Sequence, residues 1–553
     1  MNNWTPKSVL ALRTYTLEQL QHDLIAGVTV GLVALPLAMA FAISSGVSPQ
    51  AGIYCAIVTG FIISALGGSR FQIGGPTGAF VVVVSGIIAK YGIDGLFMAT
   101  MMAGVLLVVL GATGLGSAVK FIPQPVVIGF TNGIAVTIAS TQLRDMFGLQ
   151  MTSVPADFLP KMQALVAAGG TWSHAATALG FGSLLFLIIW KRLAFRIPGY
   201  IVVLVMTTAG SAVFGLPVET IGSRFGGIAG TLPHIVMPQF RADLVLTLLA
   251  PALTIAMLGS VESLLSAVVA DRLGGDRHNP NVELIAQGIA NIVSPLVGGL
   301  PATGALARTA TNIRSGARTP VSGMIHAVTL LTVLLVAAPL ARFVPLATLA
   351  GILLMVAYQM GEWAEIPQLL KLPKADIAVW IVTFGLTVFA DLTVAVETGM
   401  ILAMLMFIRK VSRTTSVVAV EEEEAEEGRL HVLEGKDLPD YVSVFRVSGP
   451  LLFGATDSLL DIADRTSLAP IVILKLRYVT AMDATGLRAL EDLADNIKRS
   501  GRALIVCSAH PQPASLMTAG EFRDHVGAAN ICANTTAALA RARELHAQQR
   551  SAA

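Results

Sequence analysis

From Leu24 to about Ile408 the chain is a succession of long apolar stretches separated by short polar breaks. A helix that crosses a membrane needs about 20 apolar residues, with a range of roughly 17 to 25. The candidate stretches are residues 24–44, 53–66, 97–115, 126–141, 176–190, 201–214, 244–269, 284–297, 326–340, 346–358, 377–390 and 392–408. Two more, around residues 81–89 and 305–313, are too short to cross alone; counting both gives about fourteen. Only 13% of the 553 residues are charged, against 54% hydrophobic. Soluble domains average about 25% charged residues, so half the usual polar coat is missing and a lipid bilayer is the expected surround.

Charge placement suggests an even number of crossings with both ends in the cytosol. That topology puts Lys7, Arg13, Arg70, Lys120, Lys191, Arg192, Arg196, Arg314 and Lys410 inside, with fewer cations such as Lys90, Arg144 and Lys161 outside. Residues 1–22 are polar and mixed in charge and read as a cytosolic segment, not a cleavable signal. Net charge is +2, too small a basic excess for a nucleic-acid partner. Cys55, Cys507 and Cys532 are too few and too scattered for a disulfide framework or a metal site, and no cofactor is expected.

Composition changes after Arg413. Glu421, Glu422, Glu423, Glu424, Glu426 and Glu427 mark residues 413–430 as an acidic, solvated linker. Residues 431–553 read as soluble α/β: strands at 441–447, 471–476 and 503–507, helices at 457–465, 483–499 and 534–546. Helices packed on a small sheet are expected.

An internal repeat locates a site. Gly74-Gly75-Pro76-Thr77-Gly78-Ala79 recurs, with two insertions, as Gly298-Gly299-Leu300-Pro301-Ala302-Thr303-Gly304-Ala305; the prolines are 225 positions apart. Asp23-Leu24 and Asp243-Leu244, each opening a long apolar helix, are 220 apart. Inverted halves of this kind are common in transporters. Both glycine–proline motifs open the short stretches. Free N–H groups in a first helical turn form an anion site backed by about half a positive charge. Two half-helices facing each other near the midplane would attract an anion from both sides; close helix packing by small residues is the alternative.

Two ionisable residues lie within the apolar region. Glu262 sits inside a predicted span and reads as a proton carrier or as a structural hydrogen-bonding group. Arg308, about one turn beyond Gly304, could pair with substrate or with Glu262, or could snorkel toward the cytosol. Asp391 and Glu397 flank the last stretch and read as interfacial. Phe41 follows a Leu35-Pro36 break and either walls the pocket or packs in the core.

Gly75-Pro76-Thr77-Gly78, the segment from Gly259 through Glu262 to Leu265, and the segment from Pro301 through Arg308 to Asn312 resemble the SulP (sulfate permease) family of anion transporters. The tail resembles a STAS domain through the segment from Ala481 through Asp483 to Leu487. The resemblance implies an α-helical membrane protein of about fourteen helices in two inverted seven-helix repeats, about 23–215 and 240–412, with two half-helices and a cytosolic α/β STAS domain. It implies an elevator-like mechanism and a homodimer. Phe41, Thr77, Gly78, Ala79, Phe80, Gly304, Ala305, Leu306, Ala307 and Arg308 fall where family members line the anion pocket, and Glu262 at the family's acidic position. Sodium-coupled bicarbonate relatives carry Asp and a hydroxyl residue where this chain has Glu262 and Leu306, which favours protons here. Leu37 replaces a glutamine found in many members. Ala484 stands where related STAS proteins carry a phosphorylated serine; Thr485 remains a possible acceptor, and Asp483 reads as a helix cap.

The expected function is secondary transport of a small anion (bicarbonate, sulfate or a C4-dicarboxylate) with a proton across the inner membrane. Exchange or sodium-coupled bicarbonate uptake is the alternative, and a membrane-anchored signalling protein acting through its STAS domain, with a cytosolic protein partner, a more distant one. No nucleophile–base constellation marks an enzyme.

Overall fold

A computed structural model describes residues 4–116, 123–151, 154–155, 157–193, 198–235, 237–239, 241–390, 392–412, 415–419, 438–452, 459, 462 and 469–552. Lys120, Arg196, Asp391, the glutamate run 421–427 and most of the expected helix 457–465 lie outside those residues. The chain forms two compact units, Met1–Ile401 and Leu402–Ala553.

The first unit is helical apart from two strands of two residues, among the described residues. Its helices are α1 (Lys7–Leu12), α2 (Leu17–Ser44), α3 (Pro49–Leu66), α4 (Gly78–Ala112), α5 (Gln124–Phe147), α6 (Phe158–Ala167), α7 (His174–Leu193), α8 (Gly199–Phe214) and α9 (Ile221–Phe225). There follow α10 (Val245–Gly274), α11 (Pro280–Val293), α12 (Leu306–Arg314), α13 (Val321–Ala341), α14 (Leu346–Met360), α15 (Ile366–Leu369) and α16 (Lys374–Phe389). α17 (Leu392–Ser412) straddles the division between the units. Among the described residues, eight helical segments are long and apolar enough to cross a membrane, and α8 is a shorter apolar helix.

Local sequence sets the ends. Thr16 and Gln19 form a capping box at the start of α2; Ser48 caps α3 just before Pro49, and Asn279 caps α11 just before Pro280. Gly148 and Gly275 take the left-handed conformation that closes α5 and α10. The expected break at Leu35-Pro36 is absent: α2 runs through Pro36, because losing one backbone hydrogen bond does not outweigh a helix packed along α3 and α13. α4 packs along α10 and α11, and α5 along α14 and α16. At the α4–α11 crossing a Cβ on Gly104 would lie 2.6 Å from the Gly288 carbonyl oxygen. Only glycines permit that approach.

Asp23 and Asp243 do not share surroundings. Asp23 is buried and accepts from the Arg318 and Thr319 backbone N–H groups at 2.7 and 3.0 Å. Asp243 is exposed and pairs with Arg241.

The second unit holds a five-stranded sheet in the order β3-β4-β5-β6-β7 (Ser416–Ala419, Val442–Ser448, Ile471–Tyr478, Ala503–Cys507, Ile531–Cys532). β3 is antiparallel to β4, and the other pairs are parallel. α18 (Ala484–Arg499) packs on one face against Val472 and Leu474; α21 (Thr535–Ala552) packs on the other against Ile471 and Ile473. α19 (Pro511–Ala519) and α20 (Arg523–Val526) connect β6 to β7. Residues 416–419 correct the reading of 413–430 as linker throughout. Val417 and Val418 precede the glutamates and pair with Val447 and Arg446.

Candidate functional site

The two glycine–proline motifs lie side by side. Gly74–Gly75 (β1) and Thr303–Gly304 (β2) form an antiparallel pair, Gly74 opposite Gly304 and Gly75 opposite Thr303. α4 leaves β1 at Gly78 and α12 leaves β2 at Leu306. Gly92, at φ 73°, interrupts α4, so its first leg is a half-helix ending at Tyr91. Neither N-terminus has a side-chain cap: Thr77 and Ala305 occupy the cap positions without making that bond. Thr77 instead donates its hydroxyl to Glu262 Oε2 at 2.9 Å.

Arg308 is buried at the junction. Its Nη2 donates to the Pro76 carbonyl, and its Nη1 has no hydrogen-bond partner among the described residues. The guanidinium lies against Gly75, where a Cβ would collide with Nη1. Gly75 also has φ 149°, a conformation side chains resist. Arg308 and Glu262 are close enough to interact electrostatically. The junction thus combines one permanent cation, one titratable acid and two helix N-termini.

The remaining expected residues divide. Phe41 and Gly78 are neighbours: a Cβ on Gly78 would sit 3.2 Å from Phe41 Cε1. Gly304 donates its N–H to Ser263 Oγ at 3.1 Å, and Ala305 donates to the Ile73 carbonyl at 2.8 Å. Ala79 and Phe80 pack into an apolar cluster, Phe80 toward Gly259 of α10. Leu306 and Ala307 are exposed, so on α12 the junction receives Arg308 and Thr309. Leu37 is buried among apolar neighbours.

A frame of buried polar side chains, unmarked in the sequence reading, fixes the junction. Ser263 Oγ is 2.6 Å from Thr303 Oγ1, which donates to the Gly259 carbonyl at 3.0 Å. Asn291 brackets Ala302 with bonds of 2.8 and 2.9 Å to its carbonyl and N–H. Thr309 accepts from the Ile73 N–H, and Asn312 donates to the Phe71 carbonyl, both at 3.0 Å. The one available signal is spacing: Glu283, Gln287 and Asn291 recur every four residues along α11.

Each half-helix also borders a cavity. One of about 680 Å³ is lined by Val82, Gly86 and Lys90 of α4 together with Thr247, Thr387 and Glu397. Another of about 350 Å³ is lined by Thr311 and Arg314 of α12 with Thr29, Lys191, Tyr200 and Gln359.

Residues 20–383 match the model of the sulfate permease family. The chain belongs to that family. Residues 436–538 match the STAS domain. YvdB of Bacillus subtilis is 43% identical over 507 residues, covering 91% of this chain and 94% of that protein. The bicarbonate transporter BicA of Picosynechococcus is 32% identical, with 89% of each chain covered. The solved structure of SLC26A9 superposes with a TM-score of 0.87 over 98% of this chain and 93% of that one; at 17% identity it shows a shared fold. The sulfate permease member described here is an integral membrane anion transporter with a C-terminal STAS domain.

Proposed function

We propose that this sulfate permease member is a secondary active transporter that moves a small anion together with a proton. One observation carries the reading: Arg308, buried between two helix N-termini that lack side-chain caps, has an Nη1 without a hydrogen-bond partner among the described residues. An anion about 4 Å from a guanidinium gains roughly 4 kcal/mol at an effective dielectric of about 20. A helix terminus contributes about 1 kcal/mol, up to roughly 2. Arg308 therefore dominates attraction, and ionised Glu262 opposes it by a comparable amount. Protonating Glu262 removes the repulsion, so anion and proton bind cooperatively. Thr77, donating to Glu262 from the uncapped N-terminus of α4, joins the two sites.

The β1–β2 pair ties both half-helices into one body, and cavities border each of them. That supports an elevator-type cycle in which the tips move together between two mouths. In this reading the fourteen-helix, two-repeat layout holds for residues 23–412. The protein is a homodimer in the inner membrane, with residues 1–22 and 431–553 cytosolic and the STAS unit offering a surface to a protein partner. Bicarbonate, sulfate and C4-dicarboxylates are the candidate cargoes. BicA's name favours the first and the family's name the second.

Proteoliposomes with an imposed pH gradient, acid outside, test the reading. Wild type should accumulate labelled anion, and Glu262→Gln should lose gradient-driven accumulation while still exchanging anion. Unchanged accumulation would refute the role of Glu262. A requirement for internal anion or external sodium would mark the exchanger or sodium-coupled alternative.

A further inference from the structure

In the second unit a single cross-strand row runs Val418, Arg446, Lys475, Cys507, Cys532, each the register partner of the next. Registered residues on neighbouring strands point to the same face, here the face covered by α21. Adjacent strands lie about 4.8 Å apart, within the roughly 4.4–6.8 Å span of Cα separations that a disulfide bridges. Both thiols are free; Cys507 is buried and Cys532 partly exposed. The Ser508 N–H donates to the Cys532 carbonyl at 3.2 Å and holds the strand ends together.

We propose that Cys507 and Cys532 are a redox-sensitive dithiol, oxidised to an intrachain disulfide by hydroperoxides. The thiolate of Cys532, the accessible partner, attacks the peroxide. The O–O bond breaks, one oxygen stays on sulfur as a sulfenic acid, and the other leaves as water or an alcohol after taking up a proton. The Cys507 thiol then attacks that sulfur, its proton leaves with the hydroxyl as water, and an S–S bond replaces the S–O bond. Two electrons from the sulfurs reduce one peroxide. Lys475 lies beside Cys507, and its ammonium favours the Cys507 thiolate that attacks the oxidised sulfur. Burial pushes both thiols up, which sets the response to strong oxidant exposure rather than to resting conditions. The bond fastens the two-residue edge strand β7, three residues before α21 begins, to the interior of the sheet.

The full-length protein in detergent is titrated with hydrogen peroxide and digested under non-reducing conditions. The expected product joins the peptides containing residues 507 and 532, two hydrogens lighter, and is reversed by dithiothreitol. Cys55, buried in the first unit, stays unmodified. Cys532→Ser, a change at a partly exposed position, should abolish the product with no loss of folded protein. Lys475→Met should slow only the second step, so the sulfenic acid at Cys532, trapped with dimedone, persists longer than in wild type. Sulfinic acid at Cys532 without the cross-linked peptide, or a cross-link joining two chains, would overturn the proposal.

Discussion

Replacing Arg308 by lysine keeps a positive charge but removes the planar fork that donates to Pro76 through Nη2. Initial uptake in proteoliposomes should fall at least about tenfold (roughly 1.4 kcal/mol) in Arg308→Lys and vanish in Arg308→Ala. Equal uptake in wild type and Arg308→Ala would remove Arg308 from the site. Thr77 offers a finer comparison. Thr77→Ser keeps the hydroxyl that donates to Glu262, and Thr77→Val does not, so the pH profile of uptake should change only in the valine variant. A separate titration belongs to the second unit. The Asp495 carboxylate, bonded to the His525 ring at 3.0 Å, raises that imidazole above its ordinary 6.5. The pair's contribution to stability is full below about pH 6.5 and disappears as pH rises through the folded-state midpoint. Exchange of the imidazole C2 proton, followed by mass spectrometry, should place the midpoint above 6.5 and lower it in Asp495→Asn.

Helix crossings are governed by a few glycines. A leucine at Gly288 would press into the Gly104 carbonyl and Val108, and overpacking of this kind costs about 1–3 kcal/mol or more. Gly288→Leu should reduce the yield of monodisperse protein in detergent. Gly182→Ala in α7, where a Cβ meets nothing within 4 Å, should be neutral or gain roughly 0.5–1 kcal/mol. The half-helices were legible because glycine and proline interrupt apolar runs at matched positions, and interruption is a signal that composition cannot hide. The polar frame was not. A single serine or asparagine in an apolar run, such as Ser263, Asn291 or Asn312, carries no mark of direction, and its partners are set by helices distant in sequence. On α12 the facing of the helix was equally unmarked: Arg308 and Thr309 are buried, and Leu306 and Ala307 are exposed. Cys507 and Cys532 looked scattered because parallel register joins residues that two connecting helices separate.

Lys90 borders the cavity on the α4 half-helix, and Lys191 the cavity on the α12 half-helix. The proposed topology puts these mouths on opposite sides of the membrane. In intact cells an impermeant maleimide should label Lys90→Cys in a Cys55→Ala background and leave Lys191→Cys unlabelled; the reverse pattern would invert the topology. The pairing of Gly74 with Gly304 has a further consequence for how the protein is made. A nascent chain that has inserted only its first half exposes the backbone of β1 and the Pro76 carbonyl to the bilayer interior, where unmet polar groups are costly. Their partners arrive some 230 residues later. The proposed binding centre is therefore among the last parts to be completed during synthesis, and a ribosome stalled before residue 304 leaves a product with early spans made and the β1–β2 pair unformed.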